Sequence, residues 1–202
     1  MPVVVTDTPY RPVPTDPPRK RWTRAEYRAL AETGLFEGRS YELVEGELID
    51  RMGKKRGHTL GLVPLFLWLV QIFGPDKVNP ETSIDVAPDD NPTSEPEPDL
   101  IVLNRSMWEI RDSNPRASDI EMVVEVSDST LGFDLTRKAD LYARAGIPEY
   151  WVLDVARRQM IVHRVPESGS YSSVSAYGAD ETVSPLGAPN AGFPVSHAFG
   201  PR

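Results

Sequence analysis

Two stretches constrain this chain more than any others: "EPEPDLIVL", Glu95 to Leu103, and "IEMVVEVSDST", Ile120 to Thr130. Each reads as a buried apolar strand with a carboxylate at one end, Asp99 at the start of the first and Glu125 near the end of the second. Side chains alternate along a strand, so Glu125 shares a face with Val123 and Ser127, while Met122, Val124 and Val126 face the other way. If the two strands are antiparallel neighbours, the start of one lies beside the end of the other and the acids meet. Carboxylates that close repel unless a cation lies between them. The chain has no cysteine and its three histidines (His58, His163, His197) are scattered, which points to a hard divalent ion held by oxygen, Mg²⁺ or Mn²⁺. The plainer alternative is that Asp99 ends a loop and Glu125 caps a strand, both solvated.

A chain of 202 residues with 40% hydrophobic content is expected to form one sizeable domain. Residues 1–20 hold six prolines and no apolar periodicity and read as a disordered arm; 21–184 read as the domain; 185–202 read as a poorly specified tail. "WTRAEYRALAETG" carries a capping box, Thr23 with Glu26, and Gly34 as a stop, which predicts a first helix. Tyr41 to Val44 and Glu47 to Met52 read as a hairpin turning at Glu45-Gly46. The apolar run from Leu60 to Gly74 reads as a buried helix, too short to span a membrane. A strand is expected around Lys77 to Val86, then a solvated acidic loop carrying Asp89, Asp90, Glu95 and Glu97. "FDLTRKADLYARAG" reads as a helix, "EYWVLD" and "QMIVHRV" as strands, and Glu181 to Ser184 as a further strand. This order predicts an α/β architecture, a mixed β-sheet flanked by helices. The N-terminus lacks a basic segment followed by an apolar one, so the expected address is cytoplasmic, and a net charge of −8 argues against broad attraction to nucleic acid or anionic membrane.

Projected at 100° per residue, Asp134 to Gly146 places Leu135, Ala139, Tyr142, Ala143, Ala145 and Gly146 on one face with Lys138 near its middle. A lysine there either snorkels to water or delivers its ammonium to a nearby anion, with Glu125 the expected partner.

The motifs "PD" at Pro98-Asp99, "EVS" at Glu125 to Ser127, and Asp134, Lys138, Tyr142 and Gly146 leading into "EYWVLD" resemble the Uma-two group of candidate restriction endonucleases, a branch of the PD-(D/E)XK nuclease superfamily. "YELVEGEL" and His58 match its N-terminal half, so the resemblance covers about residues 22 to 165. It implies a restriction-endonuclease-like core and a Mg²⁺-dependent endonuclease acting on phosphodiester bonds in DNA. The aspartate and the second acid, here Asp99 and Glu125, would bind the metal, and a lysine two positions after that acid would orient the attacking water. Ser127 stands where that lysine belongs, and the resemblance implies that Lys138 substitutes from the following helix. It also implies an acid near the metal from the N-terminal element, for which Glu42 is the candidate; a solvated glutamate on an edge hairpin is the alternative. The group's dimer habit leaves a homodimer open.

"RMGKKRGH" concentrates Arg51, Lys54, Lys55 and Arg56 beside His58 in an acidic protein. These are the candidates for contact with DNA phosphates, against the alternative of a solvated basic loop. Asp85 is a weaker candidate for an outer acid, and Tyr142 and Trp151 read as core. Two rivals remain. One is a nuclease fold that binds nucleic acid or a protein partner without cutting. The other, a glycosidase-like use of the carboxylates, is disfavoured by 8% aromatic content with no clustering near the acids.

Overall fold

Of the eight residues in β5 (Ile120–Ser127), all but Glu121 are buried, which marks it as an interior strand covered on both faces. In the computed structural model of the chain, which describes residues 18–51 and 56–200, β5 sits inside a six-stranded mixed sheet. Its other strands are β3 (Val78–Pro80), β4 (Leu100–Leu103), β6 (Glu149–Asp154), β7 (Gln159–Glu167) and β8 (Ser170–Gly178), in the order β3-β4-β5-β6-β7-β8. β4 and β5 are antiparallel, with Leu100 opposite Val124 and Ile101 opposite Val123. β5 and β6 are parallel, so the chain crosses over between them through α3 (Leu131–Phe133), a π-helical turn (Asp134–Lys138) and α4 (Ala139–Arg144). The expected mixed sheet flanked by helices is the observed fold.

Ahead of the sheet come α1 (Arg24–Glu32), capped by Thr23 and Glu26 in the reciprocal manner expected, and the hairpin β1 (Tyr41–Val44) and β2 (Glu47–Asp50). Glu45 and Gly46 both have positive φ, 49° and 77°, as a two-residue turn matching strand twist requires. The apolar run forms α2 (Arg56–Phe73), and here the expectation needs correcting. The helix is 18 residues long, long and apolar enough to cross a membrane by length and composition, and only one stripe of it is buried. His58, Gly61, Leu65 and Leu69 face the sheet, while Leu60, Val63 and Leu67 are exposed. The spacing of the buried residues is the helical one, but an apolar residue on every face hid which stripe would be chosen.

Two more expectations change, and one strand has no counterpart among them. The strand near Lys77 to Val86 is short, ending at Pro80, with a separate bridge from Asp85 to Arg116. β8, rich in serine, carries no apolar alternation to announce it. The expected tail instead folds back: β9 (Thr182–Val183) pairs with β10 (Phe193–Pro194), and Phe193, Val195 and Ala198 are buried against the α2 side. Isolated aromatics among glycine and proline lack a period, yet Phe193 finds a slot in the core and Phe199 packs at its edge.

The sheet separates two cores. On one side Leu65 and Leu69 of α2 pack with Leu100, Val102, Met122, Val124 and Trp151. On the other, Leu141, Tyr142 and Ala143 of α4 pack with Ile101, Val123, Tyr150 and Val152. Glu125 points into the second.

Candidate active site

The antiparallel register sets Asp99, one residue before Leu100, alongside Glu125, one residue after Val124. Asp99 and Glu125 are both buried, and they line one cleft of about 110 Å³ together with Glu42, Arg51, His58 and Lys138.

Asp99 is held by several groups among the described residues. Its Oδ2 accepts from the Val126 amide at 2.8 Å and lies 2.9 Å from His58 Nε2, and Arg51 approaches Oδ1 at 3.6 Å. His58 reaches it because α2 lies close on the sheet. A Cβ at Gly61 would meet Leu153 at 2.7 Å, so only glycine permits that approach without displacement, and His58 sits one turn earlier on the same buried stripe.

Glu42 is delivered by the hairpin. Leu43 bridges to Glu95, and Glu42 Oε2 accepts from the Glu97 amide at 3.1 Å, two residues before Asp99. Arg137 and Arg144 clamp the hairpin turn from the helix side, through Glu45 and Glu47, each a modest contribution at a half-exposed site.

Lys138 is the centre of the cluster. Its Nζ lies 2.8 Å from Glu125 Oε1 and 2.8 Å from Glu42 Oε1, and its side chain is 4% exposed. The lysine therefore returns to Glu125 as its helix face suggested, and it also collects Glu42. Tyr142, one helical turn on, donates to the same Glu125 oxygen at 3.1 Å. Asp134, at the start of the π turn, accepts from the Ser127 and Thr130 hydroxyls, both at 2.6 Å. Asp134 and Lys138, four residues apart across the π turn, are both buried on the side of the sheet. Ser127, at the position of the missing lysine, thus belongs to Asp134.

Negative charge outweighs positive here. Burial, opposed by Lys138 and reinforced by Asp99, Asp134 and Glu42, pushes the Glu125 carboxyl up to about 8. Burial also raises Asp134 and, with Glu125 beside it, the Tyr142 hydroxyl. Burial alone would pull Lys138 down, but the Glu125, Glu42 and Asp134 carboxylates outweigh it and hold the ammonium charged. Among the described residues no group of three or more metal-ligating side chains is drawn together as a ready cage. The donor chemistry nevertheless suits a hard divalent ion: carboxylate oxygens around one cleft, with a charge excess that a cation relieves.

The basic patch is divided. Lys54 and Lys55 lie outside the described residues. Arg56 is exposed, whereas Arg51 turns inward, 12% exposed, onto Glu97 and Asp99, and His58 is buried against Asp99. Arg51 and His58 are thus placed in the acid cleft instead of on a surface patch, because buried carboxylates draw in any cation within reach. The acidic loop also differs from expectation. Glu95 is buried between Arg24 and Arg28, which with Asn114 bring its carboxyl down to about 2 against the cost of burial, and Asp90 pairs with Arg144. Asp85 is taken by Arg24. Sequence reasoning gave no site role to Asp134, which lines the cleft, or to Tyr142, which holds Glu125. The four-residue spacing of Asp134 and Lys138 was the available signal for the first.

The family model Uma2, described as "Putative restriction endonuclease", matches residues 24–196. In fold the chain is similar to a crystal structure described as "a putative nuclease belonging to DUF820" from Anabaena variabilis, with a TM-score of 0.60 at 15% identity over 79% of this chain and 89% of that one. No curated protein matches.

Proposed function

Since the chain belongs to the Uma2 family of restriction endonuclease-like proteins, we propose that it is a metal-dependent nuclease that hydrolyses phosphodiester bonds in DNA. The observation that carries this reading is the Lys138 ammonium buried between Glu125 and Glu42 in the cleft that Asp99 also lines.

Asp99 and Glu125 would hold Mg²⁺ or Mn²⁺, which when bound supplies charge to a phosphoryl oxygen and acidifies a water. The other roles belong to the chain. A cleft with excess carboxylate repels a phosphodiester, so charge compensation is a precondition of substrate binding. His58 and the Val126 amide fix the orientation of Asp99, and Tyr142 does the same for Glu125. Lys138, already ordered, presents a charged donor to the attacking water or to the negative charge that grows on the phosphoryl oxygens, with little reorganisation. Glu42 holds that ammonium in place. Arg51 offsets part of the carboxylate charge from inside the cleft, and the exposed Arg56 is the described cation of this segment left for a flanking phosphate.

A second reading, a nuclease fold that binds without cutting, draws support from Ser127 standing in the lysine position and being bound to Asp134. Nicking of a supercoiled plasmid by the purified protein separates the two. Cleavage is expected with Mg²⁺ or Mn²⁺, absent in chelator and absent in Asp99→Ala. Metal-independent nicking, or full activity of Asp99→Ala, defeats the nuclease reading; stable DNA binding without cleavage under any metal supports the second.

A further inference from the structure

A second cavity opens on the same side of the sheet as the acids. It measures about 240 Å³, against about 110 Å³ for the acid cleft, and Asn79, Leu103, Met107, Trp108, Ile110 and Arg111 line it. Its place follows from the register. Asn79 pairs with Ile101, and Asp99, Ile101 and Leu103 alternate onto one face of β4, so the cavity lies beyond the far end of the strand that begins beside Asp99. At about 3.4 Å per residue, Asp99 and Leu103 are roughly 14 Å apart, about four base-pair rises of a duplex. One nucleic acid strand could therefore touch both.

Three independent features describe what the cavity would take. Trp108 is 68% exposed, and no ring or cation stacks on it among the described residues. Its backbone is nevertheless fixed. It lies in a 3₁₀ turn capped by Ser106 and Glu109, and the preceding Met107 amide donates to the Asp76 carbonyl at 2.8 Å. A large indole standing in water on a fixed backbone offers stacking area with only two side-chain torsions to order. Next, Asn79 Nδ2 is buried without a hydrogen-bond partner in a cavity-lining residue, although buried amides are normally satisfied. An apolar protein side chain in the cavity would leave that donor unpaired; a ring with acceptor atoms on its edge would not. Finally, the Arg111 side chain is 74% exposed and, among the described residues, pairs only with Asp112, itself exposed, at 3.7 Å, which leaves its guanidinium available to a phosphate. A planar face, an edge donor and a nearby cation are the three contacts a nucleotide makes.

The geometry points to a subsite for one unpaired nucleobase, stacked on Trp108 and read by Asn79, in a strand whose phosphodiester reaches the acid cleft. This rests on the nuclease reading and refines it: the favoured substrate carries unpaired nucleotides near the cut.

The test uses the whole protein and two fluorescein-labelled DNA probes of equal length, one fully paired and one with a central unpaired stretch. Binding is followed by anisotropy and cleavage by gel with Mg²⁺. Trp108→Ala is expected to weaken binding of the unpaired probe on the order of 10-fold or more, with the paired probe unchanged, and Trp108→Phe to retain most of the affinity. Asn79→Leu should weaken the unpaired probe less. The exposure of Trp108 makes an unaltered melting temperature the expected control. If the wild type binds and cuts but Trp108→Ala behaves identically on both probes, or loses both equally, the subsite is wrong and the nuclease reading stands. If the wild type neither binds nor cuts either probe, both fall together.

Discussion

Glu125 and Glu149 are buried glutamates on adjacent parallel strands, and their surroundings differ in kind. Glu149, at the start of β6, has Arg164 on Oε1 at 2.6 and 2.8 Å, the Trp151 indole N–H on the same oxygen at 2.8 Å, and the Leu186 amide on Oε2 at 2.7 Å. Both of its oxygens are occupied, Oε1 by an arginine that no other carboxylate shares among the described residues and Oε2 by a backbone amide. Glu125 has Lys138 and Tyr142 on a single oxygen, and Glu42 competes for the lysine. One glutamate is satisfied and the other is crowded with like charge. A site that stores unrelieved charge is built to meet a ligand, and a site that satisfies its charge is built to hold the fold.

The strongest way to break this comparison is to remove each acid. Glu125→Gln is expected to lose cleavage by a factor on the order of 10³ or more while keeping or gaining thermal stability without metal. Glu149→Gln should leave cleavage per folded molecule unchanged and lose stability by about 3 kcal/mol, because Arg164 and the Trp151 indole lose their charged acceptor. Chemical denaturation and single-turnover cleavage on both variants check it; equal losses of activity would erase the distinction.

Lys138→Ala comes next, with cleavage falling by a factor on the order of 10² while Mn²⁺ binding survives. It should also destabilise, since Glu42 and Glu125 are left buried without their cation. Adding Ser127→Lys to that variant is expected to recover part of the rate. Recovery is incomplete because a lysine there meets Asp134, which Ser127 now serves. Wild-type cleavage by Lys138→Ala reduces the lysine to a structural ion pair.

The pH dependence sharpens the same contrast. Glu125, ordinarily near 4.5, is pushed up to about 8 in the folded chain by burial, with carboxylate neighbours adding to it. The folded form therefore holds a proton that the unfolded form releases between those values, and this contribution to stability is present at low pH and lost as pH rises toward 8. Metal-free protein should show that decline in urea midpoints from pH 5 to 8, as given by about 4.5 to about 8 for this group, and Glu125→Gln should flatten it. Saturating Mg²⁺ should offset it, since the cation favours the charged carboxylate.

The smallest effect belongs to the basic segment. Neutralising Lys54 and Lys55 is expected to weaken binding alike for all DNA sequences and to reduce the salt slope by about two, roughly 0.9 for each phosphate that a lysine no longer neutralises. An unchanged slope returns these lysines to solvent.

Much of this molecule could be read along the chain. The capping box at Thr23, the Glu45-Gly46 turn, the alternation of β5 and the lysine on the inward face of its helix are local patterns, each spanning a few residues, and local patterns report on backbone geometry directly. The antiparallel pairing of β4 and β5 was a short inference from there.

What the amino-acid order by itself determined was therefore the set of elements and the face on which Glu125 and Lys138 lie. Tertiary structure alone decided which charges meet. Arg51 reaches Glu97 and Asp99 across more than forty residues, Glu95 collects Arg24 and Arg28 across about seventy, and Glu42 joins Lys138 from the far end of the domain. The π turn, the burial of Phe193 and the choice of one stripe on α2 were settled in the same way. A carboxylate's worth depends on the cations and dielectric around it, and these come from parts of the chain whose approach is fixed only when both faces of the sheet are packed.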